Sequence, residues 1–233
     1  MKLAVIPARG GSKRIPRKNI KLFNGQPMIA YSIQAAKASG AFDDVIVSTD
    51  DAEIADIAMQ YGASVPFMRP TDLSDDFTGT RAVTNHAIKA YEATIAKPDY
   101  CCCIYATAPF IQASDISRAL EELIALPDKA FAFSVTTYAF PIQRALKRAG
   151  GGVESMYPQF AATRSQDLEE GYHDAGQFYW GSYAGYLSEK AMFSQHSIPI
   201  VLPRHLVQDI DTSEDWTRAE LMYQAFMNRK TVD

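Results

Sequence analysis

Residues 9–21 read Arg-Gly-Gly-Ser-Lys-Arg-Ile-Pro-Arg-Lys-Asn-Ile-Lys and place six cations, Arg9, Lys13, Arg14, Arg17, Lys18 and Lys21, in one stretch with no acidic residue. Gly10 and Gly11 carry no side chains, so backbone amides here can approach an oxyanion, and the surrounding lysines and arginines supply charge-assisted donors. That is chemistry for a phosphate chain, and a triphosphate is its natural guest. The spacing matches neither the P-loop, which needs four residues between its first glycine and Gly-Lys-Ser/Thr, nor the three-glycine dinucleotide fingerprint, so ATPase and dehydrogenase readings both fail. Late in the chain, Asp209-Ile-Asp211 offers two hard carboxylates. Two residues apart on a strand, they share a face and can chelate one Mg2+. The alternative is that Asp211 caps the helix that follows, with Thr212 or Ser213 beside it.

These groups need a scaffold. The basic stretch follows Leu3-Ala-Val-Ile, a short apolar run bounded by turn residues, which is the pattern of a strand buried on both faces of a parallel sheet. The carboxyl end of such a strand is where open α/β sheets bind their ligands. From Pro27, Ile29, Ile33 and Ala36 recur at helical spacing, with Gly40 as a stop. The unit then repeats. Strands are predicted at 45–49, 100–105 and 130–135, and a short extended piece at 65–68. Helices are predicted at 51–61, closed by Gly62, at 82–95, and from a Ser114 or Asp115 cap to Leu126. Residues 177–180 and 198–202 return to strand character, and 213–228 form a closing amphipathic helix. Alternation of this kind predicts one three-layer α/β/α, Rossmann-like domain over residues 1–233 with a mostly parallel central sheet. Residues 138–172, interrupted by Pro141, Gly150-Gly151-Gly152 and Pro158, read as a projecting arm of hairpins with no core of its own.

Composition removes several classes. The chain has 233 residues, 47% of them hydrophobic and 21% charged, enough to bury a sizeable core. A net charge of -4 advertises no partner of nucleic acid or acidic membrane, so any anion site is local. Cys101, Cys102 and Cys103 are adjacent and form neither a disulfide framework nor a zinc-ligand spacing, which fits a reduced, cytoplasmic protein. The amino-terminal apolar run is too short for a signal peptide, and no stretch approaches the ~20 apolar residues of a membrane span. No Ser-His-Asp arrangement is present, and none is needed if a substrate hydroxyl is the nucleophile. Of His86, His173, His196 and His205, only His173 stands in a suggestive context.

The run Ile6-Pro-Ala-Arg-Gly-Gly-Ser-Lys-Arg-Ile-Pro-Arg-Lys-Asn-Ile20, with Gly25-Gln-Pro-Met-Ile29, resembles the opening of the cytidylyltransferases that activate sialic and other nonulosonic acids. The resemblance covers essentially the whole chain. It implies that Ala8, Arg9, Gly10, Ser12, Lys13 and Asn19 bind CTP, with Arg9 and Lys13 catalytic in holding the phosphates as pyrophosphate leaves. Residues 65–80 resemble the family's base-and-ribose segment, in which Arg69, Thr78 and Thr80 would read the nucleoside. Asp209 and Asp211 match a family Asp-x-Asp that holds Mg2+, which would neutralise phosphate charge and make the sugar hydroxyl more acidic.

Arg164-Ser-Gln-Asp-Leu-Glu-Glu-Gly-Tyr172-His-Asp-Ala-Gly-Gln-Phe-Tyr-Trp-Gly181 resembles the sugar-reading segment. Arg164 would bind the sugar carboxylate, reaching across a homodimer from the arm. Two departures separate the chain from the sialate enzymes. His173-Asp-Ala-Gly-Gln177 replaces Arg-Pro-Asn-Gly-Ala, and Ile104-Tyr-Ala-Thr-Ala-Pro109 replaces Leu-Gln-Pro-Thr-Ser-Pro, so Tyr105 stands where those enzymes have Gln. Both departures resemble the pseudaminic acid branch of the family. That implies transfer of CMP from CTP to pseudaminic acid, with Tyr105, His173, Asp174, Gln177 and Tyr179 at the sugar. Activation of sialic or legionaminic acid is the other enzymatic reading, and a noncatalytic nucleotide or RNA binder is the reading from a different class.

Overall fold

The computed structural model describes residues 1–75 and 77–230, without the side chains of residues 229 and 230; Asp76, within the 65–80 segment, lies outside the described residues. Leu3, Ala4, Val5 and Ile6 are wholly buried, as expected of a strand covered on both faces. They lie in β1 (Lys2–Pro7). In chain order there follow β2 (Leu22–Phe23), β3 (Gln26–Pro27), α1 (Met28–Ala38), β4 (Asp44–Ser48), α2 (Ala52–Gln60), α3 (Thr80–Thr94), β5 (Tyr100–Ile104) and α4 (Ala113–Ala125). The remaining elements are β6 (Phe131–Thr137), β7 (Leu146–Ala149), β8 (Gly152–Ser155), β9 (Tyr172–Ser182), α5 (Tyr183–Tyr186), β10 (Ser197–Val201) and α6 (Ser213–Lys230).

Six strands form one sheet in the order β10-β6-β9-β5-β1-β4, all parallel except β9, which runs antiparallel to both β5 and β6. The expected mostly parallel sheet between helical layers is therefore present. Side-chain alternation divides the core. Ala4, Ile6, Cys102, Ile104, Phe178 and Trp180 share one cluster with apolar residues of α1, α2 and α4. Leu3, Val5, Cys101, Cys103 and Tyr179 share the other with α3 residues and Tyr186 of α5. The cysteines are free and buried, and desolvation pushes the Cys101 and Cys103 thiols up to about 12, so they act as packing groups. A third cluster joins the basic loop to α6: Ile15, Phe23, Met28, Tyr31 and Phe110 pack with Trp216 and Ala219. Among the described residues no helix is long and apolar enough to cross a membrane.

Several local expectations are corrected. The α3 helix begins at Thr80, two residues earlier than expected. Neither Ser114 nor Asp115 caps α4: the N-cap is Gln112, and the Asp115 carboxylate pairs with Arg118 at 2.8 Å. Asp209 and Asp211 lie on no strand, so strand alternation does not align them. The cap of α6 is a reciprocal box in which Asp215 accepts from the Thr212 amide at 2.9 Å and the Thr212 hydroxyl accepts from the Asp215 amide at 3.2 Å, leaving Asp211 free of that duty. Residues 138–172 form an exposed hairpin of β7 and β8 among short helical turns.

Trp180 stacks on Phe42 with ring centroids 4.8 Å apart, and its indole Nε1 donates to the Ile116 carbonyl at 3.0 Å. Trp180→Ala opens a large cavity, so it is expected to cost about 3–5 kcal/mol, read as a lower urea midpoint at unchanged m-value.

Candidate active site

The carboxyl ends of β1 and β5 open into a cavity of about 620 Å³, within the range of ligand sites. Arg9, Ser12, Lys13, Asn19, Arg69, Thr78, Thr80, Tyr105 and Asp211 line it. Arg14 and Lys18, two more of the six cations, line it too, as do Asp75 and Thr107, which no motif pointed to.

The cationic loop is held open by carboxylates. Arg17 adopts a left-handed backbone (φ 57°), unfavourable for a side chain of this size, and its guanidinium pairs with Asp51 and Glu53. Asp51 also caps α2, accepting from the Ile54 amide at 3.0 Å. Gly10 packs so closely on this carboxylate that a Cβ would sit 2.6 Å from Asp51 Oδ2, so no other residue fits without a shift. Its amide, which the sequence offered to an anion, here donates to Asp50 Oδ1 at 3.0 Å. Asn19 donates from Nδ2 to the Arg9 carbonyl at 2.9 Å, closing the loop on itself. Arg9 in turn donates to the Asp75 carbonyl at 2.8 Å, and Asp75 accepts from the Thr78 hydroxyl at 2.7 Å. Ala8 is buried beneath the loop, its amide donating to Ser48.

Across the cavity, Lys18 Nζ donates to the Ile210 carbonyl at 2.8 Å and pairs with Asp211 at 3.3 Å, while Arg14 pairs with the other Asp211 oxygen at 2.9 Å. Asp209 is exposed and does not line the cavity. Arg69 is the most deeply buried cation here, 6% exposed. Burial pulls it below the ordinary arginine pKa, opposed by Asp50 at 3.5 Å. Its Nε is buried without a hydrogen-bond partner among the described residues.

The residues expected at the sugar divide. Tyr105 and Thr80 line both the main cavity and an adjoining one of about 290 Å³, which also includes Asp174 and Tyr179. The Tyr179 hydroxyl donates to Asp174 at 2.7 Å, and burial keeps that phenol protonated by pushing its pKa far up. His173 lines a third cavity, which shares Asp174 and Phe193 with the second. Gln177 lines none of these cavities; it is buried and turned into the core. Arg164 sits on the arm, exposed and paired with Asp167 at 2.8 Å, and lines none of these three cavities.

A cationic cavity of this kind at the end of the first strand agrees with what comparison with known proteins finds. The sequence profile of the cytidylyltransferases matches residues 3–228. The chain belongs to the cytidylyltransferase family. It is accordingly a nucleotidyltransferase. It is 45% identical to the pseudaminic acid cytidylyltransferase of Campylobacter jejuni over 95% of this chain and 96% of that one. It is 31% identical to the CMP-N,N'-diacetyllegionaminic acid synthase of Legionella pneumophila, over 95% and 96% of the two chains. Among solved structures, CMP:2-keto-3-deoxy-manno-octonic acid synthetase in complex with CTP superposes with a TM-score of 0.67 at 18% identity, covering 96% of this chain and 99% of that one, which bears on the fold.

For this cytidylyltransferase, Asp211 suits a magnesium ion, because that ion is commonly held by one or two carboxylates with substrate phosphates completing its shell. Among the described residues no three His, Cys, Asp or Glu side chains gather into an all-protein metal cage.

The Arg17 guanidinium holds the Asp51 carboxyl down at about 2, against an ordinary 3.8. A carboxyl depressed by folding stabilises the protein above its ordinary pKa, and that contribution fades as pH falls from about 4 towards 2. Asp51→Asn keeps an oxygen to cap α2 but loses the ion pair. The expected loss is about 1–2 kcal/mol at neutral pH, allowing for solvent screening at the half-exposed Arg17. Urea titrations of both proteins across pH should show the gap closing towards pH 2.

Proposed function

We propose that this cytidylyltransferase transfers CMP from CTP to the anomeric hydroxyl of pseudaminic acid, giving CMP-pseudaminic acid and pyrophosphate. The observation that carries the reading is 45% identity along nearly the whole chain to a pseudaminic acid cytidylyltransferase, against 31% to the legionaminic acid enzyme. The anomeric oxygen bonds to the α-phosphorus as the bond from that phosphorus to the β-phosphate bridging oxygen breaks, and the hydroxyl proton is lost. Arg9 and Lys13 hold the phosphates and meet the charge that grows on departing pyrophosphate; Lys18 and Arg14 line the same cavity. Arg69, Thr78 and Thr80 bind the nucleoside, and the unpaired Nε of Arg69 supports that role. Asp211 holds Mg2+, which when bound neutralises phosphate charge and acidifies the hydroxyl. Tyr105, Asp174 and Tyr179 read the sugar from the adjoining cavity, with His173 beyond them.

Pyrophosphate release measured with CTP and Mg2+ over a panel of acid sugars is the deciding experiment. Pseudaminic acid is expected to exceed N-acetylneuraminic acid in kcat/KM by a hundredfold or more, since each buried polar group left unpaired costs ~1–3 kcal/mol. Comparable values overturn the sugar assignment, and salt-sensitive RNA binding without pyrophosphate release overturns the enzyme reading. Arg9→Ala should cut turnover at least about a hundredfold in a folded protein.

We further propose a homodimer in which Arg164 of the arm binds the sugar carboxylate in the neighbouring site; its exposed position on the arm, lining none of the three cavities described above, supports this. Mixing Arg164→Ala subunits with Arg9→Ala subunits should then regenerate one complete site per heterodimer and recover activity above the sum of the separate mutants. Activity equal to that sum assigns the whole site to one chain.

A further inference from the structure

Gln177 was expected at the sugar, yet the fold uses it elsewhere. Opposite it, β6 and β9 slip out of register between Phe133 and Val135. The unpaired residue of β6, Ser134, is fully buried and accepts from the amides of Gln177 at 3.3 Å and Phe178 at 3.2 Å. Gly176 makes the kink possible with a left-handed backbone, φ 63°. The bulge turns the Gln177 side chain, 4% exposed, inwards, where Nε2 donates to the Leu206 carbonyl at 2.5 Å.

Leu206 ends a short helical turn, and residues 207–211 run from it to the cavity without regular structure. A segment lacking ladder hydrogen bonds takes its position from its anchors. Lys18 holds one end through the Ile210 carbonyl at 2.8 Å, and Gln177 holds the other through Leu206. With these two anchors, the buried Leu206 and Ile210 side chains and the Asp211 amide on Asp215 at 3.2 Å, the segment delivers Asp211 to the cavity in contact with Arg14 and Lys18.

We infer that Gln177 is a positioning residue: through the Leu206 carbonyl it fixes the segment that places Asp211 against the basic loop. The inference rests on the proposed reaction only for its kinetic readout. The alternative, direct contact with the sugar, differs in what a variant changes.

Gln177→Met keeps the length of the side chain and removes the donor. In the intact protein, hydrogen exchange of the amides in residues 206–211 should accelerate tenfold or more, with the strands of the sheet unchanged. With CTP, Mg2+ and pseudaminic acid, kcat should fall tenfold or more while KM for the sugar stays within twofold. A large rise in sugar KM with exchange and kcat unchanged overturns the inference and makes Gln177 a sugar reader; unchanged exchange with unchanged kinetics overturns it as well. Should the methionine variant fail to fold, Gln177→Asn, too short to reach Leu206, reads the same quantities. If the unaltered enzyme uses no acid sugar, the proposed reaction fails, while the exchange measurement still decides the role of Gln177.

Discussion

Six cations within thirteen residues repel one another, and much of the surrounding structure serves to hold that loop open. Each restraint comes from a carboxylate or carbonyl on a different element. Asp51 and Glu53 at the start of α2 take Arg17, Asp50 takes the Gly10 amide and Arg69, and the segment before α6 takes Lys18 and Arg14. The partners neutralise part of the charge and fix side chains that would otherwise drift apart. The remaining cationic surface faces a cavity walled by low-dielectric protein, where an anion feels the field strongly.

This arrangement explains why the loop is tied to the carboxyl ends of β1 and β4 and also to the final helix. Ile15 and Phe23 carry the loop's apolar side into a cluster with Trp216, and Lys21 lies 4.3 Å over the Trp216 ring. The last helix of the chain thus clamps the first loop. Rigid walls matter here because electrostatic stabilisation of a transferring phosphoryl group depends on donors already in place.

The antiparallel strand β9 has a second organising effect. Its bulge brings Asp174 and Tyr179, five residues apart, into hydrogen-bond contact and leaves Gln177 buried on the Leu206 carbonyl. One irregularity therefore shapes the adjoining cavity and anchors the segment that carries Asp211.

By itself, the sequence determined what depends on local pattern. The buried strand 3–6, the strand at 100–105, the helix after Pro27, the helix at 51–61 and the cationic loop follow from runs, spacings and residue types, and the family was legible in the long motif around Arg9. Tertiary structure alone decided which of the six cations face the cavity, that Asp211 reaches it while Asp209 does not, and that Gly10 gives its amide to Asp50. Lys18 and Asp211 are separated by 193 positions, and no periodicity reports a contact made across that distance. Gln177 was placed at the sugar by resemblance of its motif, and a motif carries no register: the irregularity between Phe133 and Val135 and the bond from Gln177 to the Leu206 carbonyl are visible only in the fold.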